Sequence, residues 1–150
     1  MSGMIWNIIF GILTGIISGL YTGFVMAKYS AFCQIRFEII YICRNFHISA
    51  TNENIDSYSF TNYADIANAA CNFFYLKHKG AGDETLKLYT DITNTMLKIK
   101  SVVDRRNLRQ TQEEDAITAQ EAFDKLKEWQ ERSRNIRPSK VVITLPWGHL

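Results

Sequence analysis

No Asp, Glu, Lys or Arg occurs before Lys28 in this 150-residue chain. A helix needs about 20 mainly apolar residues to cross the hydrocarbon of a bilayer, so the stretch from Met4 to Ala27 predicts one transmembrane helix. Within it Gly11, Gly15, Gly19 and Gly23 recur at every fourth position. Steps of four drift by about 40° on a 3.6-residue helix, and the glycines therefore form a slowly winding ridge without side chains. Thr14, Ser18 and Thr22 make a second ladder, each one position ahead of a glycine, while Gly3, Asn7 and Ala27 prolong the first. Ile5, Ile8, Ile9, Ile12, Leu13, Ile16, Ile17, Leu20 and Phe24 cover much of the remaining surface, bulky and suited to lipid. Small residues four apart let helix backbones approach closely in lipid. The overlapping repeats predict that the anchor also self-associates through Gly11, Gly15, Gly19 and Gly23.

A cleaved signal peptide is the competing reading of this segment. It begins with basic residues and has a shorter apolar core, whereas Met1–Asn7 holds no basic side chain and the apolar run continues through Leu20, Phe24, Val25 and Met26. Trp6 and Tyr29 stand near the two ends of the span, where amphipathic rings favour the interface. Lys28, Arg36 and Arg44 follow the span and no cation precedes it. The positive-inside rule then places the remainder in the cytoplasm, with the inner (plasma) membrane as the location.

The rest of the chain suffices for one small core and not for two. The expected organisation is a transmembrane anchor (1–27), a juxtamembrane helix (28–47) and a cytosolic helical domain (48–150). The fold class is all-α, with a short strand-like tail. Phe32, Ile35, Ile39, Cys43 and Phe46 recur at helical spacing and carry the first helix past the membrane surface. His47 to Thr61 is rich in Ser, Thr and Asn and reads as a loop. A helix starting near Asn62 carries Ile66, Ala70, Phe73, Phe74 and Lys77 on one face. Gly80-Ala81-Gly82 reads as a turn, with Asp83 as the cap of the next helix.

From Glu84 to Ile136 there is neither Gly nor Pro. Tyr89, Ile92, Met96, Ile99 and Val103 form a packing seam. Thr111 with Glu114 matches a capping box. Ile117, Gln120, Phe123, Leu126 and Trp129 continue a mainly apolar stripe that Pro138 ends. Lys140–Leu145 has strand preference and is expected to pair with its copy in a neighbouring subunit or to dock as an extended tail.

Catalysis is hard to build from these residues. His47, His78 and His149 are separated and lie in no metal-ligand spacing, and no GxSxG motif occurs. His78 reads as an exposed helix-end residue, and Cys71, beside Phe73 and Phe74, as a core thiol rather than a nucleophile. The expectation is a protein that is not an enzyme and holds neither cofactor nor metal. A formal charge of +2 gives no argument for a DNA or RNA duplex.

Charge segregation says more. Lys98, Lys100, Arg105, Arg106 and Arg109 stand against Asp104 alone, and Arg132, Arg134, Arg137 and Lys140 form a second basic run. Between them lie Glu113, Glu114, Asp115, Glu121, Asp124, Glu128 and Glu131. Either these faces satisfy one another across helices, or Arg105, Arg106 and Arg109, with Lys98, form a phosphate-binding site of guanidinium forks. Lys77-His78-Lys79-Gly80-Ala81-Gly82 is a second anion candidate at a helix start, opposed by Asp83 and Glu84.

The Gly11–Gly23 ladder, the short helical domain and the Arg105–Arg109 cluster together resemble the membrane-anchored effectors of type III CRISPR defence that respond to cyclic oligoadenylate. The resemblance is one of organisation across the whole chain. It implies a cytosolic domain that oligomerises, binds a cyclic oligonucleotide and perturbs the membrane in antiviral defence. The residues themselves leave other functions open. One is a non-catalytic adaptor that recruits a protein partner through the Tyr89–Val103 seam or the Lys140–Leu150 tail, and another is a phage lysis or immunity protein.

Overall fold

A single helix, α1 (Ser2–Arg44), runs from the uncharged segment into the folded core without a break. The computed structural model describes residues 2–51, 54–60, 62–107 and 117–144. After α1 come the strands β1 (His47–Thr51) and β2 (Asn54–Ser59) and the helices α2 (Ala64–Tyr75), α3 (Lys79–Asn107), α4 (Ala119–Asn135) and α5 (Lys140–Thr144). The chain is all-α with a small two-stranded sheet.

The two halves of α1 have different surroundings. Every residue from Gly3 to Phe24 is exposed, and this half is long and apolar enough to cross a bilayer. Further along, Phe32, Ile39, Cys43 and Phe46 are buried in the main core. The juxtamembrane segment is thus the central strut of the domain rather than a spacer above it. No Gly or Pro interrupts the helix between Gly23 and Arg44, so its two halves are mechanically one rod.

The other helices pack against this strut in alternating directions. Helix α2 returns toward the apolar half of α1, bringing Phe73 to 4.9 Å from Phe32, ring centre to ring centre. Helix α3 then runs away from it, and α4 comes back, with Trp129 edge-on to Phe46 at 6.1 Å. Ile66, Ala69, Phe73, Leu88, Ile92, Leu126 and Trp129 complete the main core. The expected seam is therefore used inside the domain: Ile92 and Ile99 are buried, and Tyr89, Met96 and Val103 pack against the buried clusters. On α4 the stripe is shifted, with Ala119, Ala122, Leu126, Trp129 and Ser133 buried and Phe123 and Gln120 outward.

Strands β1 and β2 pair antiparallel where a loop was expected, with His47 opposite Ser59 and an irregularity at Ser49/Ala50. Ser and Thr alternate here with Ile48, Ala50, Ile55 and Tyr58, and that alternation suits a half-buried strand. Ile55 packs with Ile99, Ala119 and Ala122 in a second cluster, far from the apolar half of α1.

Lys140–Thr144 is a helix, against the expectation of a strand. A helical turn presents no strand to pair with a copy in a neighbouring subunit, and Leu145 lies outside the described residues. Docking on α1 decides the conformation over the β-branched preference, and Ile143 is buried there. Gly80, Ala81 and Gly82 belong to the first turn of α3 and do not form a turn before it; none has positive φ. The reversal is made instead by Leu76-Lys77-His78, with Lys77 at φ 64°, and Asp83 sits inside the helix it was expected to cap. Gly82 is required by a close approach: a Cβ there would meet the Phe74 ring at 2.7–2.8 Å.

Helix α4 opens with a capping box. Thr118 Oγ1 accepts from the Glu121 amide at 3.2 Å, and the Glu121 carboxylate accepts from the Thr118 amide at 3.1 Å. The expected box at Thr111–Glu114 lies outside the described residues. Helix α2 begins two residues after Asn62, which adopts φ 58°, a left-handed conformation that Asn tolerates.

Candidate functional site

The expected phosphate-binding residues are held by the far end of α3. Lys98, Ser101 and Arg105 share one side of the helix, with Lys98 and Arg105 about 10 Å apart over two turns. Lys98 is exposed and Arg105 half-buried, and the Arg105 guanidinium donates to Ser101 Oγ at 3.5 Å. Arg106 lies in α3, but its side chain is outside the described residues, as is the whole of Arg109. The helix therefore aligns two of the four expected cations.

The ion pairs of the α4 acids are made within α4, while an acid of α3 takes up α4 donors. Glu128 pairs with Lys125 at 2.9 Å and with Arg132 at 3.4 Å. Asp91 of α3 accepts from Trp129 Nε1 at 2.8 Å and from Arg132 at 3.2 Å, with Lys125 at 3.7 Å. The described ion pairs between α3 and α4 use Asp91, an acid outside the 113–131 set that was expected to face the basic runs. Asp91 is also an anchor point for the buried Trp129.

A second set of polar contacts gathers where the domain meets the apolar half of α1. His78 was expected to be exposed, but it is 1% exposed. The Leu76–His78 reversal tucks its ring edge-on against Phe32, 4.9 Å away at 72°. Its Nδ1 accepts from the Ser139 amide at 3.2 Å. Burial, reinforced by the positive charge of Lys28, lowers the His78 pKa below the ordinary imidazole value. Lys28 itself donates to the Val142 carbonyl at 3.1 Å and stands 4.4 Å over the Phe24 ring. Tyr21, well inside the uncharged run, donates to the Thr144 carbonyl at 2.7 Å. His78 and Tyr21 were missed as contact residues in the sequence. The visible signal is the Tyr21 hydroxyl, off the ladder that holds Thr14, Ser18 and Thr22 in the same uncharged span.

Beside this junction a cleft of about 310 Å³ is lined by Gly80, Ala81 and Glu84 of α3 and by Arg132, Asn135, Ile136 and Arg137. Of the second anion candidate, Gly80 and Ala81 line it, while Lys77, His78 and Lys79 are not among its described lining residues. Glu84 shares the cleft, and Arg132 is already engaged by Asp91 and Glu128. Arg137 is the remaining cation there.

Cys43 is buried and its thiol is pushed up to about 12 by that burial, with a hydrogen bond to Ser133 acting the other way. Cys71 is exposed rather than part of the core. The buried face of α2 is Ile66, Ala69, Ala70 and Phe73, and Cys71 follows it by one outward step. Among the described residues no group of three or more His, Cys, Asp or Glu side chains is placed to hold a metal ion. Comparison of the chain with family models, curated proteins and solved structures finds no match.

Proposed function

We propose that the chain is a single-pass, self-associating membrane effector without catalytic activity, whose helical domain lies on the cytoplasmic side of the inner membrane. Binding of a phosphate-bearing ligand by the domain changes the packing of the spans. The carrying observation is the continuity of α1, which is the apolar rod at one end and the central strut of the core at the other. A displacement of the strut must move the rod. A ligand shifts such an equilibrium only through different affinity for its two packings.

Lys98 and Arg105, aligned on α3, are the cations from which ligand binding is argued, together with Arg106 and Arg109. A cyclic oligonucleotide is the ligand class implied by the resemblance in layout. Calorimetry of the detergent-purified protein with cyclic oligoadenylates tests this reading directly. Binding that Arg105→Ala weakens about tenfold or more, the loss of one charge-assisted contact, supports it. Absence of heat with every such ligand removes it.

Topology has its own test in the exposed Cys71. A membrane-impermeant maleimide is expected to leave it unlabelled in intact spheroplasts and to label it after lysis. The adaptor reading is the weaker one, because the Tyr89–Val103 seam lines the core and Val142 and Thr144 of the tail are engaged by α1.

A further inference from the structure

The end of the domain that faces the span carries cations and exposed rings that the proposed function leaves unused. Three contacts fix its level: His78 against Phe32, the Ser139 amide on His78 and Lys28 on the Val142 carbonyl. Lys77 and Lys79 flank His78, and Lys140 follows Ser139, so the backbone of all three lies next to the contact of His78 with Phe32 and Ser139. Arg137 lies beside the first turn of α3. Lys77, Lys79, Arg137 and Lys140 are exposed, and among the described residues none of them makes an ion pair. Helix α3 starts here and runs away from the span, which puts Asp83 and Glu84 about 6 Å or more farther along its axis than Lys79. Tyr75 is 84% exposed and Val141 55%.

Helix α5 reaches farther along α1. Its partners Lys28 and Tyr21 are seven residues apart, about 10 Å of helix. With Lys28 at the bilayer surface, α5 lies beside the last two turns of the apolar rod. The last carbonyls of a helix lack intrahelical partners, and an unpaired carbonyl is costly where water does not reach. Tyr21 and Lys28 donate to two of them, Thr144 and Val142.

We infer that this end of the domain docks on anionic lipid of the leaflet it faces. Lys77, Lys79, Arg137 and Lys140 meet the lipid phosphates, while Tyr75 and Val141 enter the boundary between headgroups and acyl chains. The negative surface potential of such a leaflet draws juxtamembrane cations, and α5 supplies a wedge two of whose carbonyls are paired by α1. This inference rests on α1 spanning the bilayer.

The full chain in nanodiscs of phosphatidylcholine, with and without phosphatidylglycerol, tests it. Phosphatidylglycerol is expected to raise the melting temperature of the domain by about 5 °C or more at low salt, and high salt to erase the rise. The combined variant Lys77→Glu, Lys79→Glu, Arg137→Glu, Lys140→Glu is expected to melt normally in phosphatidylcholine and show no rise; the corresponding Gln set serves if reversal prevents folding. Inorganic phosphate in phosphatidylcholine discs is expected to do nothing, and a rise there would reassign the cations to a soluble anion and overturn lipid docking. A fluorophore on Val141→Cys, in a Cys71→Ser background, is expected to be quenched by nitroxide-bearing lipid and not by aqueous iodide. Equal melting in the two lipids, or quenching by iodide alone, overturns the inference. Alkaline carbonate distinguishes the two levels: a chain stripped from membranes fails as a spanning protein and takes this docking with it, while one that resists stripping without a lipid-dependent rise fails in the docking alone.

Discussion

His78 is the residue on which the junction between the span and the domain turns. Its unprotonated Nδ1 holds the Ser139 amide, and burial with Lys28 nearby lowers its pKa. An unfolded imidazole titrates near 6.5, so the unfolded state binds the proton more readily than the folded one. Stability contributed by neutral His78 is therefore complete above that value and declines as pH falls through it toward the lower folded pKa. Acid also removes the acceptor for Ser139, so the α5 segment should loosen first. The protection of the Ser139 amide against hydrogen exchange, taken relative to its base-catalysed intrinsic rate, is expected to fall between pH 7.5 and 5.5, and His78→Phe should make the melting temperature less sensitive to that change. At the other end of the core, Asp91 holds the indole N–H of buried Trp129 and the Arg132 guanidinium. Asp91→Ala leaves the buried indole donor unpaired and is expected to cost about 1–3 kcal/mol, read by thermal or urea unfolding.

At the scale of elements, capping and close approach set the boundaries. Thr118→Ala removes one half of the α4 capping box and is expected to cost about 1 kcal/mol. Gly82→Ala pushes a methyl into the Phe74 ring; the half-exposed ring can swing away, so a loss of roughly 1–2 kcal/mol is expected, again read by unfolding. Much of this level was legible in the sequence, because long amphipathic helices advertise themselves by period. The α1 core face and the α3 seam follow spacings of three and four, and on α2 Ile66, Ala70 and Phe73 are buried as expected, whereas Phe74 is exposed and Lys77 lies beyond the helix. What was illegible depended on tertiary context. Residues 47–59 look polar until Ile99 and Ala122 give Ile55 something to bury against. Residues 140–144 have the composition of a strand, and only the donors on α1 make a helical turn the better solution. Gly80–Gly82 resembles a turn to any local rule, since the ring that demands Gly82 sits eight residues earlier. The candidate phosphate site was legible only as a run of charge, which helical geometry resolves into Lys98 and Arg105 on one side of α3.

For the whole molecule the decisive property is that one rod serves two environments, and the glycine ridge is where this can be tested cleanly. A Cβ added at Gly11, Gly15, Gly19 or Gly23 meets nothing within 4 Å in a single chain. A substitution there meets no described residue of its own chain at the Cβ, and alanine or leucine favours the helix over glycine. Any loss of assembly must therefore come from contacts with another helix. Gly15→Leu with Gly19→Leu is expected to lower self-association in bilayers at least about tenfold, measured by energy transfer between labelled chains, while the domain melts unchanged. Ile17→Ala, about 200° around the helix from Gly15, is the control and should leave association intact. If the leucine variant associates as the parent does, the ridge is not the contact and the spans pack through another face. If association is lost, the rearrangement of the spans proposed above should be lost with it, because the domain would then move a rod that touches no neighbour.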